Sequence, residues 1–303
     1  MDGFKKLLVP LDGSRLAEAV LPVAMLFAEG FGATVSLLHV MEREAPETIH
    51  GEHHLVDAAE AQAYLEKVAD ECGCEGVTVE LHVHPNLERD VVASVIGHAD
   101  EFGADLIILA THGSGGMRDI LVGSIAQQVL RRGTRPVLLV KPSPGAAEKP
   151  YELRRILLPL DGSPIHDEAV LPVAESVAAA VGADIQLLVV VPTLSTVAGD
   201  KAAVATLMPA ATRAALDIER DDAVEYLREV SEGIHSRGVQ ARAEVRRGDP
   251  AAEVVGAAES YSADLIVMAT HGRIGLGALW QASVGAKILS RTHQPLLLVR
   301  ARE

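Results

Sequence analysis

Two stretches of the sequence combine glycines with hydrogen-bonding side chains, and the longer of them does so at a spacing suited to an anion. Ala110-Thr111-His112-Gly113 is followed by nine residues and then by Gly123-Ser124. Glycines let backbone N–H groups converge without Cβ obstruction, which makes an anion nest. Gly123-Ser124 falls where the next helix is expected to begin, and a helix N-terminus presents unsatisfied N–H donors and a positive dipole end to a phosphate. Ser124 adds a hydroxyl. The second stretch is Pro10-Leu11-Asp12-Gly13-Ser14, in which Asp12 closes an apolar strand and can accept from ribose hydroxyls or hold a cation. Together these residues point to a nucleotide site. The plain alternative is a pair of tight turns.

Other chemistry is less well supported. His112 and His271 stand in tight loops without an acidic partner, and are read as holding backbone rather than as general bases. His50, His53 and His54 cluster after the second strand. His50 and His54 could share a helical face and bind zinc, but the corresponding stretch 194–208 has no histidine, and an exposed polar loop is the preferred reading because two histidines do not complete a site. Cys72 and Cys74 flank one glycine, lack the four ligands of structural zinc, and are read as incidental thiols at a helix end. No G-x-G-x-x-G follows the first strand, no Walker lysine motif occurs, and no G-x-S-x-G elbow surrounds Ser124. A phosphoacceptor receiver is discounted because the third strand runs into Val83-His84-Pro85 without an aspartate.

The elements that must position these residues occur twice. LLVPLDGSRLAEAVLPVA at 7–24 is echoed by ILLPLDGSPIHDEAVLPVA at 156–174, ADLIILATHG at 104–113 by ADLIVMATHG at 263–272, and RPVLLVK at 135–141 by QPLLLVR at 294–300. A repeat this long is a whole folding unit, and 303 residues suit two of them. The expected domains are 1–143 and 152–303, with a proline-rich linker at 144–151. Each copy alternates strand and helix, which predicts a doubly wound parallel sheet with helices on both faces. In the first copy the strands are expected at 6–11, 34–40, 78–84, 105–110 and 136–140, and the helices at 16–29, 56–71, 87–102 and 124–132. Asp249-Pro250 reads as an N-cap followed by proline at the first helical position, with Asn86 as its counterpart. Pro22 and Pro172 fall inside the expected first helices, where proline should kink or interrupt.

Composition bounds the rest. Hydrophobic residues make up 49 % and aromatics 3 %, so the core must be aliphatic. A formal net charge of −15 argues against nucleic acid as a partner. No apolar run is long enough to span a bilayer, and the opening residues lack a signal-peptide pattern. The expectation is a cytoplasmic protein with no membrane partner.

The V-P-L-D-G-S strand end, the A-T-H-G loop with its nine-residue spacing to G-S, and the closing P-V-L-L-V strand resemble the universal stress protein family across both copies. The resemblance implies two Rossmann-like, five-stranded parallel sheets of order 3-2-1-4-5. It also implies binding of ATP, or of ADP or AMP, with Mg²⁺ arriving alongside the nucleotide. By that resemblance Asp12, with Pro10 and Leu11, meets the ribose and metal side, and the backbone of Val40 meets adenine. Ala110, His112, Gly113, Gly123 and Ser124 surround the phosphates. Leu160, Asp161, Val190, Ala269, Gly272 and Ser283 are the second-copy counterparts. Ala110 replaces the first glycine of the family pattern. The second copy has Ala269 and Ala282 where the pattern has glycine, so the first copy is expected to bind more tightly. The resemblance further implies an intramolecular pseudo-dimer in which 137–140 and 296–299 lie antiparallel, and leaves a homodimer open. The function so implied is stress-response regulation, with no catalytic residue and no protein metal site assigned. A slow ATPase or phosphotransferase, or a nucleotide-free scaffold, are the alternatives.

Overall fold

The computed structural model describes residues 3–43, 48–72, 76–111, 124–142, 150–197, 199–270 and 284–301. Contacts divide the chain into two units, one built on Asp2–Glu152 with Pro295–Leu298, the other on Leu153–Gln294 with Val299–Glu303.

The first unit runs β1 (Lys6–Pro10), α1 (Arg15–Glu18), α2 (Leu21–Phe31), β2 (Thr34–Glu42), a small hairpin β3 (Thr48–Ile49) and β4 (Glu52–His53), α3 (Ala58–Glu71), β5 (Val79–Glu88), α4 (Val91–Glu101), β6 (Leu106–Ala110), α5 (Ser124–Arg132) and β7 (Val137–Val140). Its main strands lie in the order β5-β2-β1-β6-β7. Neighbouring strands are parallel, with Leu7 against Val35 on one side and against Leu106 on the other. Counting the main strands along the chain, this is the expected 3-2-1-4-5. Leu7, Leu8, Ile107 and Leu138 are buried, as strands covered on both faces require. Within the same unit Leu296, Leu297 and Leu298 lie antiparallel against Leu139, Leu138 and Val137.

The second copy of the repeat runs β8 (Arg155–Leu160), α6 (Pro164–Val181), β9 (Asp184–Val191), α7 (Asp200–Leu207), α8 (Pro209–Ser236), β10 (Ala241–Arg247), α9 (Pro250–Tyr261), β11 (Leu265–Thr270), α10 (Val284–Arg291) and β12 (Leu296–Arg300), the first three residues of β12 grouping with the first unit. Its order, β10-β9-β8-β11-β12, repeats 3-2-1-4-5.

The echoed A-D-L-I segments have a structural job in both units. Asp105 accepts from the Lys5 and Lys6 N–H groups at 2.8 and 3.1 Å, and Asp264 accepts from those of Arg154 and Arg155, both at 2.9 Å. Each carboxylate ties the start of the fourth strand to the start of the first.

Several local expectations change. The first helix of copy one is broken into α1 and α2, and Pro22 sits in the first turn of α2, where its missing N–H is not needed. In copy two α6 is continuous through Pro172. The strand β5 runs to Glu88, beyond the expected 84, and the helix after it is capped by Asp90, not Asn86. The Asp90 carboxylate accepts from the Ala93 N–H at 2.9 Å. Asp249 caps α9 as expected, accepting from Ala252 at 3.0 Å with Pro250 next in line. Cys72, at the C-cap of α3, is disulfide-bonded rather than a simple thiol.

Candidate functional site

In open parallel sheets ligands bind beyond the carboxyl ends of the strands, where the strand order reverses. In the first unit that place is the end of β1, between β2 and β6. A cavity of about 150 Å³ lies there. Its walls include Pro10, Leu11 and Asp12 after β1, Leu38, His39, Val40 and Glu42 from β2, Leu109 and Ala110 from β6, and Ile125 and Ala126 from the first turn of α5. Ile49 and His54, from the hairpin and the residue after it, add to the lining. Pro10, Leu11, Asp12, Val40 and Ala110 are thus brought together. Ser124 opens α5, beside the two lining residues of that helix. His112, Gly113 and Gly123 lie outside the described residues, as do Gly272 and Ser283 of the second copy.

The Asp12-Gly13-Ser14 turn is built by its own side chains. Asp12 Oδ1 accepts from the Ser14 N–H at 2.9 Å and from the Ser14 hydroxyl at 2.6 Å. Ser14, fully buried, accepts in turn from the Ala17 N–H at 3.2 Å and so caps α1. Gly13 takes φ +91°, and a Cβ there would come within 2.9 Å of Leu55. The second carboxylate oxygen of Asp12 faces His50 Nε2 at 3.7 Å. Glu52 of β4 accepts from the Arg15 N–H at 2.9 Å, which pins the hairpin to the start of α1. The histidine cluster is therefore not a uniformly exposed loop: His53 is exposed, but His54 is buried and lines the cavity.

His39 is the feature that the sequence reading passed over. Its side chain is 1 % exposed, and Nδ1 lies 2.8 Å from the Leu11 carbonyl oxygen. A carbonyl only accepts, so Nδ1 carries the proton. Burial pulls the imidazole pKa below the usual histidine value, against a smaller upward pull from the Leu11 bond. Nε2 is buried without a hydrogen-bond partner. One signal in the sequence marks it: the second strand reads Leu37-Leu38-His39-Val40 in copy one and Leu187-Leu188-Val189-Val190 in copy two.

The second unit arranges the same positions differently. Leu160, Asp161, Val190 and Ala269 again fall at the ends of β8, β9 and β11. Asp161 Oδ1 accepts from the Ser163 N–H at 3.0 Å, but Oδ2 is taken by His166 Nδ1 at 2.7 Å. The spacing from Asp161 to Val170 is one residue longer than that from Asp12 to Val20, and the longer turn carries His166. Next to it, Tyr226 of α8 donates to Asp167 at 2.5 Å. Burial raises the Asp167 pKa, and the Tyr226 bond partly opposes it. Among the described residues no group of three or more metal-ligating side chains converges in either unit. Nor is any described helix long and apolar enough to cross a membrane.

A Bacillus subtilis (strain 168) universal stress protein, YxiE, is 30 % identical over 151 residues, covering 46 % of this chain and 99 % of its own. A Mycolicibacterium smegmatis universal stress protein is 24 % identical over 306 residues, covering 98 % of this chain and 97 % of its own. The solved structure of an Archaeoglobus fulgidus DSM 4304 universal stress protein superposes with a TM-score of 0.69 at 19 % identity, covering 98 % of each chain, and so shares the fold. The family model for the universal stress protein family matches residues 3–141 and again 152–300. The chain belongs to the universal stress protein family, as two family domains in tandem.

Proposed function

We propose that the first copy binds an adenine nucleotide, ATP or its ADP or AMP relatives, and that the chain is a cytoplasmic stress-response regulator rather than a fast enzyme. The observation that carries this reading is the cavity at the reversal point of the first sheet, where Pro10, Leu11, Asp12, Val40 and Ala110 meet the first turn of α5. A base would sit against the apolar strand ends. The phosphates would extend toward the α5 N-terminus, whose N–H donors suit an anion. No protein cage is required for Mg²⁺, which keeps most of its own waters and would ride on the phosphates beside Asp12. In the second copy the His166 bond occupies the carboxylate that corresponds to Asp12, which supports weaker binding there. The same reading has the two copies pairing through their last strands as a pseudo-dimer. The antiparallel register of Leu296–Leu298 on Val137–Leu139 supports it, since each strand then covers an edge that would otherwise template aggregation.

The test is calorimetric titration of ATP into Asp12→Asn and Asp161→Asn. Asparagine keeps the Oδ1 acceptor that builds each turn and removes the charge. Asp12→Asn should weaken binding about tenfold, on the scale of one charge-assisted hydrogen bond, and Asp161→Asn should change it little. Equal losses would remove the asymmetry, and no ATP binding by the parent protein would remove the reading. Steady-state hydrolysis should stay below about 1 s⁻¹, under the ordinary enzyme range.

A further inference from the structure

We propose that His39 reads the base of the bound nucleotide in the first copy, its Nε2 accepting an N–H from an exocyclic amino group. The proposal rests on the nucleotide reading above and deepens it to a preference for an amino-bearing base. His39 lines the cavity, is 1 % exposed, and leaves Nε2 as a buried polar atom with no protein partner. Buried polar groups are satisfied in nearly all native structures, so a ligand or water is called for at that atom.

The chemistry of the missing partner follows from the other ring nitrogen. Nδ1 must donate to the Leu11 carbonyl, so in the neutral ring Nε2 can only accept. Burial favours that neutral ring. The ligand must therefore bring a hydrogen-bond donor. The imidazole is buried, with His54 and Asp12 of the same cavity as its titratable neighbours, so a hydrogen bond made there is weakly contested by water. A volume of about 150 Å³ is on the scale of the engineered cavity that takes a benzene ring, and suits a base edge rather than a whole nucleotide. The amino group of adenine supplies the donor. The carbonyl oxygen of hypoxanthine, in the same place on a base of the same outline, brings lone pairs against a lone pair. Copy two has Val189 at this position, 9 % exposed and without any polar atom in its side chain, so the same discrimination is not available to it.

The experiment compares ATP with inosine triphosphate on the parent protein and on His39→Asn. The asparagine amide reaches the place of Nδ1 and keeps the donation to Leu11, but ends short of Nε2. The parent protein should bind ATP about tenfold more tightly than inosine triphosphate, and His39→Asn should bring that ratio close to one, chiefly by weakening ATP. The thermal midpoint of the variant reports whether it folds, and the two-nucleotide comparison on the parent protein needs no variant. Equal affinity of the parent protein for both nucleotides overturns the proposal, as does an unchanged ratio in a folded His39→Asn; either leaves nucleotide binding itself standing. Failure of the parent protein to bind either nucleotide overturns both readings.

Discussion

Asp12 and Asp161 hold the same place in the two copies and keep different company. Asp12 meets Ser14 with one oxygen and looks toward His50 with the other, while Asp161 is closed off by His166 at 2.7 Å. A carboxylate bound that closely to a neighbouring imidazole must give up a good contact before it can serve a ligand. At the same scale, His39 makes stability depend on pH. Its pKa is depressed in the folded protein, so the unfolded chain binds its proton first. The contribution is complete above about pH 6.5, the ordinary value, and is lost as pH falls below that through the folded value. His54 pushes in the same direction as burial and Asp12 opposes it. The urea midpoint of the parent protein should therefore drop between pH 7.5 and pH 5.5, by more than that of His39→Asn. Identical drops would mean that the imidazole is not held neutral.

Turns and helix ends decide how the site is presented. Gly13 and Gly162 occupy matching turns with φ +91° and +71°, but only Gly13 has Leu55 packed where a Cβ would go. Alanine is strained at both positions, and at Gly13 it must also displace Leu55. Gly13→Ala should cost about 1 to 3 kcal/mol more than Gly162→Ala in urea unfolding, the range for overpacking. Equal costs would show that Leu55 yields freely. Element identity was legible in the sequence because buried parallel strands advertise themselves: Leu106–Leu109 and Leu265–Met268 read alike and fold alike. The helix break at Pro22 was not, because the same proline sits in an unbroken helix at Pro172, after a turn one residue longer. Of the candidate site, the strand-end residues could be found from the Asp12 turn and the Ala110 loop. His39 could not be found from spacing, since a histidine in a strand looks like any core position until its second nitrogen is seen to lack a partner. His54 was hidden for a related reason. A short hairpin with no counterpart among the described residues of the second copy carries it inward.

At the level of the whole chain, the two copies keep one frame and differ at the candidate site positions. Asp105 and Asp264 perform one task in both copies, whereas His39 and Val189 cannot. If the copies pair through their last strands, a protease site inserted in the linker should be cut without separating them. The two fragments should then co-elute in size-exclusion chromatography, and fragments that elute apart would refute the pairing. The hairpin in the first copy has a consequence in time. It is fastened by Glu52 to the Arg15 N–H, reaches Asp12 through His50, and contributes Ile49 to the cavity wall. If the first copy binds a nucleotide as proposed, a ligand held behind the hairpin would leave when those contacts open, and the release rate would set how long the complex lives. Stopped-flow displacement of a fluorescent ATP analogue should show faster release from Glu52→Ala than from the parent protein. A slow exit would make occupancy follow the nucleotide level averaged over the lifetime of the complex, so that the protein carries a short memory of recent energy supply rather than a reading of the moment.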